Sequence, residues 1–312
     1  MWRDVDPREP ARERPEAGRR ASGGSQLEFR EASQESRDVF TRDLDVPRGP
    51  RRERVRVNAH DYTLSGDDVR ALATVGAFRV VPANELREPN PRTPTRPPRD
   101  LERLRDHGLI KTMPYVVGRT RTTLVTLTER GRAVLESRRG TDSGEPRQAF
   151  YAGVSKPREL AHDARVHAAY VRAAGTLAER GARVRRVVLE EELKSEYQRF
   201  LQKNNRGRRD GGGIPERDHD AIARWARERE LPCHDGHVEF PDARIEYDDR
   251  DGGRAVEDIE VVTPHYRGAH AAAKAASGFS RYRAVGARVG GVSGSGRSGR
   301  GVDPRLAEEL LS

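Results

Sequence analysis

The chain has 312 residues, of which 34% are hydrophobic and 35% are charged, and its formal net charge is +9. This composition predicts small hydrophobic cores and disordered ends. Because the sequence has no apolar run of about 18 residues, no apolar segment near its start and only one cysteine, we expect no membrane span, no secretory signal and no internal disulfide. We therefore expect a cytoplasmic protein without a membrane partner.

The positive charge is concentrated in one segment. Residues 86–140 contain 13 basic and six acidic residues, a net of +7. Residues 1–56 are nearly balanced, with 14 basic and 12 acidic residues, and so are residues 141–312, with 30 and 28. Because a phosphate-binding surface needs clustered basic side chains, residues 86–140 are the expected nucleic-acid contact.

The first part of the chain is predicted to be a tail followed by a small domain. Residues 1–56 are rich in Arg, Glu, Pro and Ser and lack apolar periodicity, which predicts a mostly disordered tail. The alternation in RVRVNAHDYTL predicts a short strand that leads into a domain over 57–140. Within it we predict three helices, a hairpin that turns at Gly118–Thr120 and a closing helix. Their predicted ranges are 65–81, 83–88, 99–110, 113–128 and 129–139.

The order of these elements, with LERLRDHGLI followed by LVTLTERGRAVL, resembles a winged helix-turn-helix. In such a fold, polar and cationic side chains of the third helix and the hairpin tip contact bases and phosphates. The third helix is expected to point Leu101, Leu104 and Leu109 inward and Arg99, Arg103 and Asp106 outward. The expected DNA-binding residues are Thr95, Arg96, Arg99, Arg103, Arg119 and Arg121. Double-stranded DNA is the expected partner; a winged helix that binds another protein is the alternative.

A second domain is predicted over 150–292, after a linker over 140–147. It contains a long helix, a strand, a flexible insertion, an amphipathic helix, two strands, a further helix and a last strand. Their predicted ranges are 158–181, 182–196, 195–217, 218–232, 237–249, 255–263, 268–284 and 285–292. This pattern predicts that an α/β unit follows an α+β unit along the chain. Residues 293–312 are predicted to be a flexible spacer and a short terminal helix.

Two carboxylates are expected at the ends of neighbouring strands in this unit. Asp242 directly follows Pro241, and Glu260 lies on the next predicted strand, across a polar turn. Mg²⁺ prefers one or two protein carboxylates together with water and substrate phosphate, and the bound ion can activate water for attack on a phosphodiester. Asp242 and Glu260 are therefore the expected metal ligands, with Mg²⁺ as the cofactor if the chain is a catalyst.

The order helix, strand, insertion, strand with Pro-Asp, strand with Glu and helix resembles the restriction-endonuclease-like fold, also called PD-(D/E)xK, over residues 158–292. That resemblance implies that the two acids bind a metal and that a lysine stands two positions after the second acid. Val262 occupies this position, so the lysine would come from Lys274 on the following helix or from Lys194 at the end of the first strand. The expected catalytic residues are Asp242, Glu260 and Lys274.

The two halves together resemble the replication-relaxation family. Its members are bacterial proteins associated with plasmids and integrative elements and related to conjugative relaxases of the same nuclease-like fold. The resemblance lies in FPDARIEYDDRDGGRAVEDIEVVTPHYRGAH, followed by FSRYRA. The matching residues are Pro241, Asp242, Gly252, Ile259, Glu260 and Thr263, with Tyr282 where the family often has a tyrosine. The chain lacks the family's acid two positions after Glu260 and the glycine before the threonine, which implies an eroded nuclease-like site.

The resemblance implies a DNA-binding protein that acts in replication control or mobilisation. Replication or relaxosome proteins are the expected partners, and a homodimer is one expected state. We expect a binding protein rather than an enzyme. One alternative is a metal-dependent nicking nuclease or relaxase, in which Tyr266 or Tyr282 could serve as the nucleophile. Another alternative is a transcriptional repressor whose C-terminal domain dimerises.

Two histidine-containing stretches remain. CHDGH, residues 233–237, is predicted to be a polar turn, because four ligands within five residues cannot surround one tetrahedral zinc ion. His162 and Asp163 lie on the long helix, which packs near the acidic site in the resembled fold. They are expected either to form a surface pair or to approach that site.

Overall fold

The computed structural model describes residues 38–86, 99–117, 120–140, 144–154, 159–203, 219–262 and 278–283. Within these residues the chain is a mixed α+β protein with six α-helices and four small β-sheets. The helices are α1 (Gly66–Phe78), α2 (Arg99–Asp106), α3 (Glu129–Glu136), α4 (Leu160–Glu179), α5 (Glu190–Gln202) and α6 (His219–Glu228). The strands are β1 (Glu53–Val57), β2 (His60–Leu64), β3 (Val81–Pro82), β4 (Ile110–Val117), β5 (Thr120–Leu127), β6 (Arg183–Leu189), β7 (Cys233–His234), β8 (His237–Val238), β9 (Ala243–Asp248), β10 (Arg254–Val262) and β11 (Ser280–Arg283). None of the described helices is both long and apolar enough to cross a membrane.

Packed structure begins within the range that the sequence predicts as a tail. Residues 38–56 include the start of β1, and Phe40 and Leu44 are buried. β1 and β2 form an antiparallel hairpin in which Val55 faces the core. The alternation in RVRVNAHDYTL therefore corresponds to a whole hairpin. Residues 1–37 lie outside the described residues.

The next elements form a small helix and hairpin unit. Helix α1 begins with a reciprocal cap: Ser65 Oγ accepts from the Asp68 N–H, and the Asp68 carboxylate accepts from the Ser65 N–H. β4 and β5 form the predicted hairpin, and β3 adds to it in the order β3-β5-β4. Leu101, Leu104 and Leu109 are buried, as their spacing predicts.

The predicted helix over 83–88 does not form in the described part of that range. Residues 83–86 lie in turns that follow strand β3 at Val81–Pro82. The Ala83 N–H donates a hydrogen bond to Thr123 O at 2.7 Å. Hydrogen bonding to β5 therefore continues as far as Ala83, at the start of the range where the local sequence favours a helix.

The largest sheet has the strand order β11-β10-β9-β6. β9 is antiparallel to both of its neighbours, and β10 is parallel to β11. α4 packs against β6, β9 and β10. It ends close to the predicted stop, where Gly181 has a φ of 77° that favours glycine.

Two elements of this half differ from the predictions. Residues 190–202 form α5, not the end of a strand and the start of a flexible insertion. Three glutamates occupy its first turn, where the helix dipole favours negative charge, and Leu193, Tyr197 and Phe200 recur at helical spacing and pack inward. Ser280–Arg283 forms β11, not the end of a helix, because it pairs with β10, a contact that local spacing does not reveal.

One buried cluster contains residues from both predicted domains. The ring of Tyr170 on α4 lies 4.9 Å from the ring of Phe78 and 5.5 Å from the ring of Phe40. Between the two halves, the Gln148 side chain donates to Val187 O and accepts from Val187 N, each at 2.9 Å, as a neighbouring strand would. The helix and hairpin unit is thus packed directly against the largest sheet and its helix.

Candidate functional site

The register of β9 and β10 places Asp242 across from Glu260. Ala243 pairs with Ile259, and the Asp242 N–H donates to Ile259 O at 3.0 Å, so the next position along both strands joins the two acids. Asp242 Oδ2 accepts a hydrogen bond from the Val261 N–H at 2.7 Å. Both acids are buried, with 8% and 1% of their surfaces exposed. The structure therefore brings together the two carboxylates selected from the sequence, and their binding of a metal remains a prediction.

His162, in the first turn of α4, contacts the carboxylate pair. Its Nε2 lies 3.2 Å from Asp242 Oδ1. Burial lowers the pKa of His162, but the hydrogen bond and charge of Asp242 and the charges of Asp163 and Glu260 outweigh it, so its pKa is raised above the ordinary value. Of the two arrangements that the sequence leaves open, the structure thus shows the approach to the acidic site.

This contact predicts a pH-dependent contribution to stability. A histidine whose folded pKa exceeds its unfolded value stabilises the fold fully below the unfolded pKa of about 6.5, and the contribution is lost as the pH rises through the folded pKa. In EDTA, the free energy of unfolding should therefore differ most between wild type and His162→Gln near about pH 5.5 and least near about pH 8. Urea denaturation across this range measures the difference; one that grows with pH would contradict the prediction.

The lysines proposed as substitutes for the one absent at Val262 do not complete the described site. Lys274 lies outside the described residues. Lys194 lies on α5, not at a strand end, and its Nζ is 2.8 Å from Glu190 Oε1. The Glu190 N–H in turn donates to Asp242 O at 3.2 Å, so the start of α5 adjoins the carboxylates.

The residues predicted to bind DNA are described to different extents. Thr95, Arg96 and Arg119 lie outside the described residues. Arg99 begins α2, but its side chain is outside the described part of the structure. Arg121 is exposed on β5, close to the hairpin turn. DNA binding by these residues remains a prediction.

The position of Arg103 in the helix predicts an outward side chain. This prediction is wrong, because the side chain points inward. Its guanidinium contacts both carboxylate oxygens of Asp68, whose side chain is fully buried, and only 22% of the Arg103 side chain is exposed. Because Asp68 also caps α1, this ion pair fixes α2 against α1. The exposed residues among those described on α2 are Glu102, Arg105 and Asp106.

Tyr282 is a packing residue in the structure. It lies on β11 opposite Val261, contacts the core, and has the Arg172 guanidinium 5.4 Å from its ring centre. Burial raises the pKa of Tyr282, and the charge of Glu257 raises it further, which disfavours the phenolate that a nucleophile needs. Tyr266 lies outside the described residues.

CHDGH forms a small hairpin. β7 and β8 pair across Asp235 and Gly236, whose φ values are 49° and 75°, as expected for an Asp-Gly turn. The polar turn is therefore as predicted. Within the described residues, no group of three or more His, Cys, Asp and Glu side chains is arranged to hold a metal ion.

The carboxylate pair offers hard oxygen ligands beside an imidazole whose cationic form is favoured. Two carboxylates suit Mg²⁺, which takes its remaining ligands from water and phosphate. Comparison with protein-family models, curated proteins and solved structures finds no match to this chain. Its function must therefore be inferred from its own residues.

Proposed function

We propose that this chain is a DNA-binding protein of a plasmid or integrative element, that it acts in replication control or mobilisation, and that its nuclease-like half is eroded. The observation that supports DNA binding is the net charge of +7 in residues 86–140, which include α2 and the β4–β5 hairpin. Clustered charge of this kind supplies the phosphate contacts on which DNA affinity depends. The setting on a mobile element comes from the resemblance to the replication-relaxation family.

The order α1, β3, α2, β4, β5 and α3 supports a winged helix, with the β4–β5 hairpin as its wing. The third strand of its sheet, β3, pairs with β5. Since Arg103 is bound to Asp68, the proposed contacts lie at the start of α2 and on the wing. Arg99, Arg119 and Arg121 are the residues that we assign to them.

The order α4, β6, β9 and β10 supports a PD-(D/E)xK-like unit. The Pro-Asp pair lies just before β9, and Glu260 lies opposite on β10. Val262 at the usual lysine position is the feature that supports an eroded site.

Substitution of the three arginines tests the DNA-binding proposal. Arg99→Gln, Arg119→Gln and Arg121→Gln, combined in one chain, should weaken duplex binding. They should also reduce the slope of log K against log salt by about 1 for each phosphate that the protein no longer neutralises. Fluorescence anisotropy of a labelled duplex at several salt concentrations measures both quantities. Arg103 is left intact, because its removal would leave Asp68 buried without its guanidinium.

The matched control has the same charge change elsewhere. The control uses three exposed arginines: Arg180 and Arg183, at the connection between α4 and β6, and Arg250, in the turn between β9 and β10. Their combined change to Gln should leave affinity close to that of the wild type. The chain with Arg99, Arg119 and Arg121 changed to Gln is called the wing variant. If it keeps the wild-type affinity and salt slope, the proposed surface is wrong.

A second candidate function is Mg²⁺-dependent nicking of DNA. The observation that favours it is the placement of Asp242 beside Glu260 with His162 in contact. Asp242 and Glu260 would hold the ion, which would activate water and stabilise charge on the phosphate. His162 would hold the Asp242 carboxylate in place through its Nε2.

A further inference from the structure

Helices α5 and α6 present one face each to an open groove of about 770 Å³. Arg199, Phe200 and Lys203 lie on the α5 side, and Arg224, Trp225 and Arg229 lie on the α6 side. Lys203 lies four positions after Arg199 and three after Phe200, and Arg229, just after the end of α6, lies four positions after Trp225, so these pairs are neighbours on the groove side. The groove is separate from the carboxylate pair and from the helix and hairpin unit.

The floor of the groove is aromatic. The rings of Phe200 and Trp225 lie 5.6 Å apart and only 26° from parallel, and Tyr197 packs beside them. The Arg229 guanidinium lies 4.4 Å from the centre of the Trp225 ring. The Trp225 ring is buried, with 4% of its surface exposed, so the planes that the groove offers to a nucleic acid base are the partly buried Phe200 ring and the Arg229 guanidinium, which the indole supports.

The rim of the groove is cationic. The two acids of the groove, Glu196 and Glu228, lie 3.4 Å and 3.8 Å from nitrogens of Arg229. Arg199, Lys203 and Arg224 are exposed and form no ion pair with any described residue. The groove thus has four cations and two acids, a net charge of +2, and the three cations other than Arg229 face solvent.

The groove is joined to the carboxylate pair by packed residues. The Phe240 ring lies 5.6 Å from the Tyr197 ring, and Phe240 is two positions before Asp242. α5 starts beside Asp242, and its 13 residues span roughly 20 Å at about 1.5 Å per residue. The groove therefore lies within the length of a few nucleotides of the two acids.

We propose that this groove binds single-stranded DNA and directs it toward Asp242 and Glu260. Three cations at the rim match the phosphates, and the aromatic floor with Arg229 matches the faces of unpaired bases. The inference rests on the proposed DNA-binding function, but it concerns a second surface in the other half of the chain. In this proposal the helix and hairpin unit binds duplex DNA, and the groove binds a single strand.

Fluorescence of Trp225 tests the groove locally. The chain has two tryptophans, so a Trp2→Phe chain reports on Trp225 alone. Titration with a 20-nucleotide oligothymidine is expected to quench its emission saturably. Adding Arg199→Gln, Lys203→Gln and Arg224→Gln should weaken this binding and lower its salt slope by about 2, since each contact to a single strand contributes about 0.7. The control chain has Arg180, Arg183 and Arg250 changed to Gln and should respond like the Trp2→Phe parent.

The outcomes separate this proposal from the duplex-binding one. A Trp225 response that survives the Arg99, Arg119 and Arg121 substitutions supports an independent groove. The groove proposal is overturned by an unchanged emission, by a rim variant that binds as the parent does, by tighter binding of duplex, or by an equal response to polyglutamate. The wing variant could lose duplex binding while the Trp2→Phe chain shows no Trp225 response to oligothymidine. That result would support the proposed function and reject the groove as a binding site.

Discussion

Replacing Arg244 by methionine is expected to lower the free energy of unfolding by about 3–5 kcal/mol, because it leaves a buried carboxylate without its counter-ion. Arg244 Nε and Nη2 lie 2.7 Å and 2.8 Å from the two carboxylate oxygens of Asp258, across β9 and β10. The guanidinium also donates to the backbone oxygens of Arg229 and Glu230. Only 6% of the Arg244 side chain and 13% of the Asp258 side chain are exposed. Urea denaturation followed by circular dichroism measures the change in stability.

The control for Arg244 is the removal of both charges. A chain with Arg244→Met and Asp258→Leu should regain much of the stability, since apolar replacement of a whole buried pair is often neutral. Arg54→Met breaks an ion pair with Asp61 on the exposed face of the β1–β2 hairpin and should have little effect. An Arg244→Met chain as stable as wild type would show that this pair is not desolvated in solution.

Under the second candidate function, Asp242→Asn is expected to lower Mg²⁺-dependent nicking of supercoiled plasmid by about 10²-fold or more, because an amide is a poor ligand for Mg²⁺. Asparagine is chosen because its side-chain oxygen can still accept the hydrogen bond from the Val261 N–H. Alanine would remove that acceptor and cost about 1.5–3 kcal/mol of stability, so activity and folding would change together. Gel separation of nicked and supercoiled plasmid measures the rate.

The matched control for the nicking assay is Asp251→Asn, which removes an exposed carboxylate in the β9–β10 turn. It should nick as the wild type does. Nicking by Asp242→Asn at the wild-type rate would reject the second candidate function, and so would a wild-type chain without nicking activity. DNA binding would then be the whole of the proposed activity.

Elements with strong local signals are predicted well from the sequence. The long helix predicted over 158–181 is α4, because its apolar residues recur at helical spacing and a glycine with positive φ follows it. The two acids meet across β9 and β10 because the strands on which they lie are neighbours in the sequence, joined by a short turn. Neighbouring strands of this kind usually pair.

Features that depend on distant contacts are not predicted. The helical pattern places Arg103 on an outer face, but Asp68, 35 positions earlier, holds it inward. β11 is extended because of β10, across a segment that separates them in the sequence. The approach of His162 to Asp242 depends on the packing of α4 on the sheet, which the resemblance allows but does not require.

The start of α5 is a different case, because its signal is present in the sequence. Leu193, Tyr197 and Phe200 have helical spacing, and three glutamates precede them. The β-branched run that ends β6 continues directly into these glutamates, which favours the prediction of a longer strand.

Amide hydrogen exchange of the full chain, with and without duplex DNA, tests the central claim most directly. We expect DNA to slow exchange in α2 and in the β4–β5 hairpin, where the proposed arginines lie. Protection that falls only on the sheet of β6, β9, β10 and β11, or exchange that does not change at saturating duplex, would contradict DNA binding through the helix and hairpin unit.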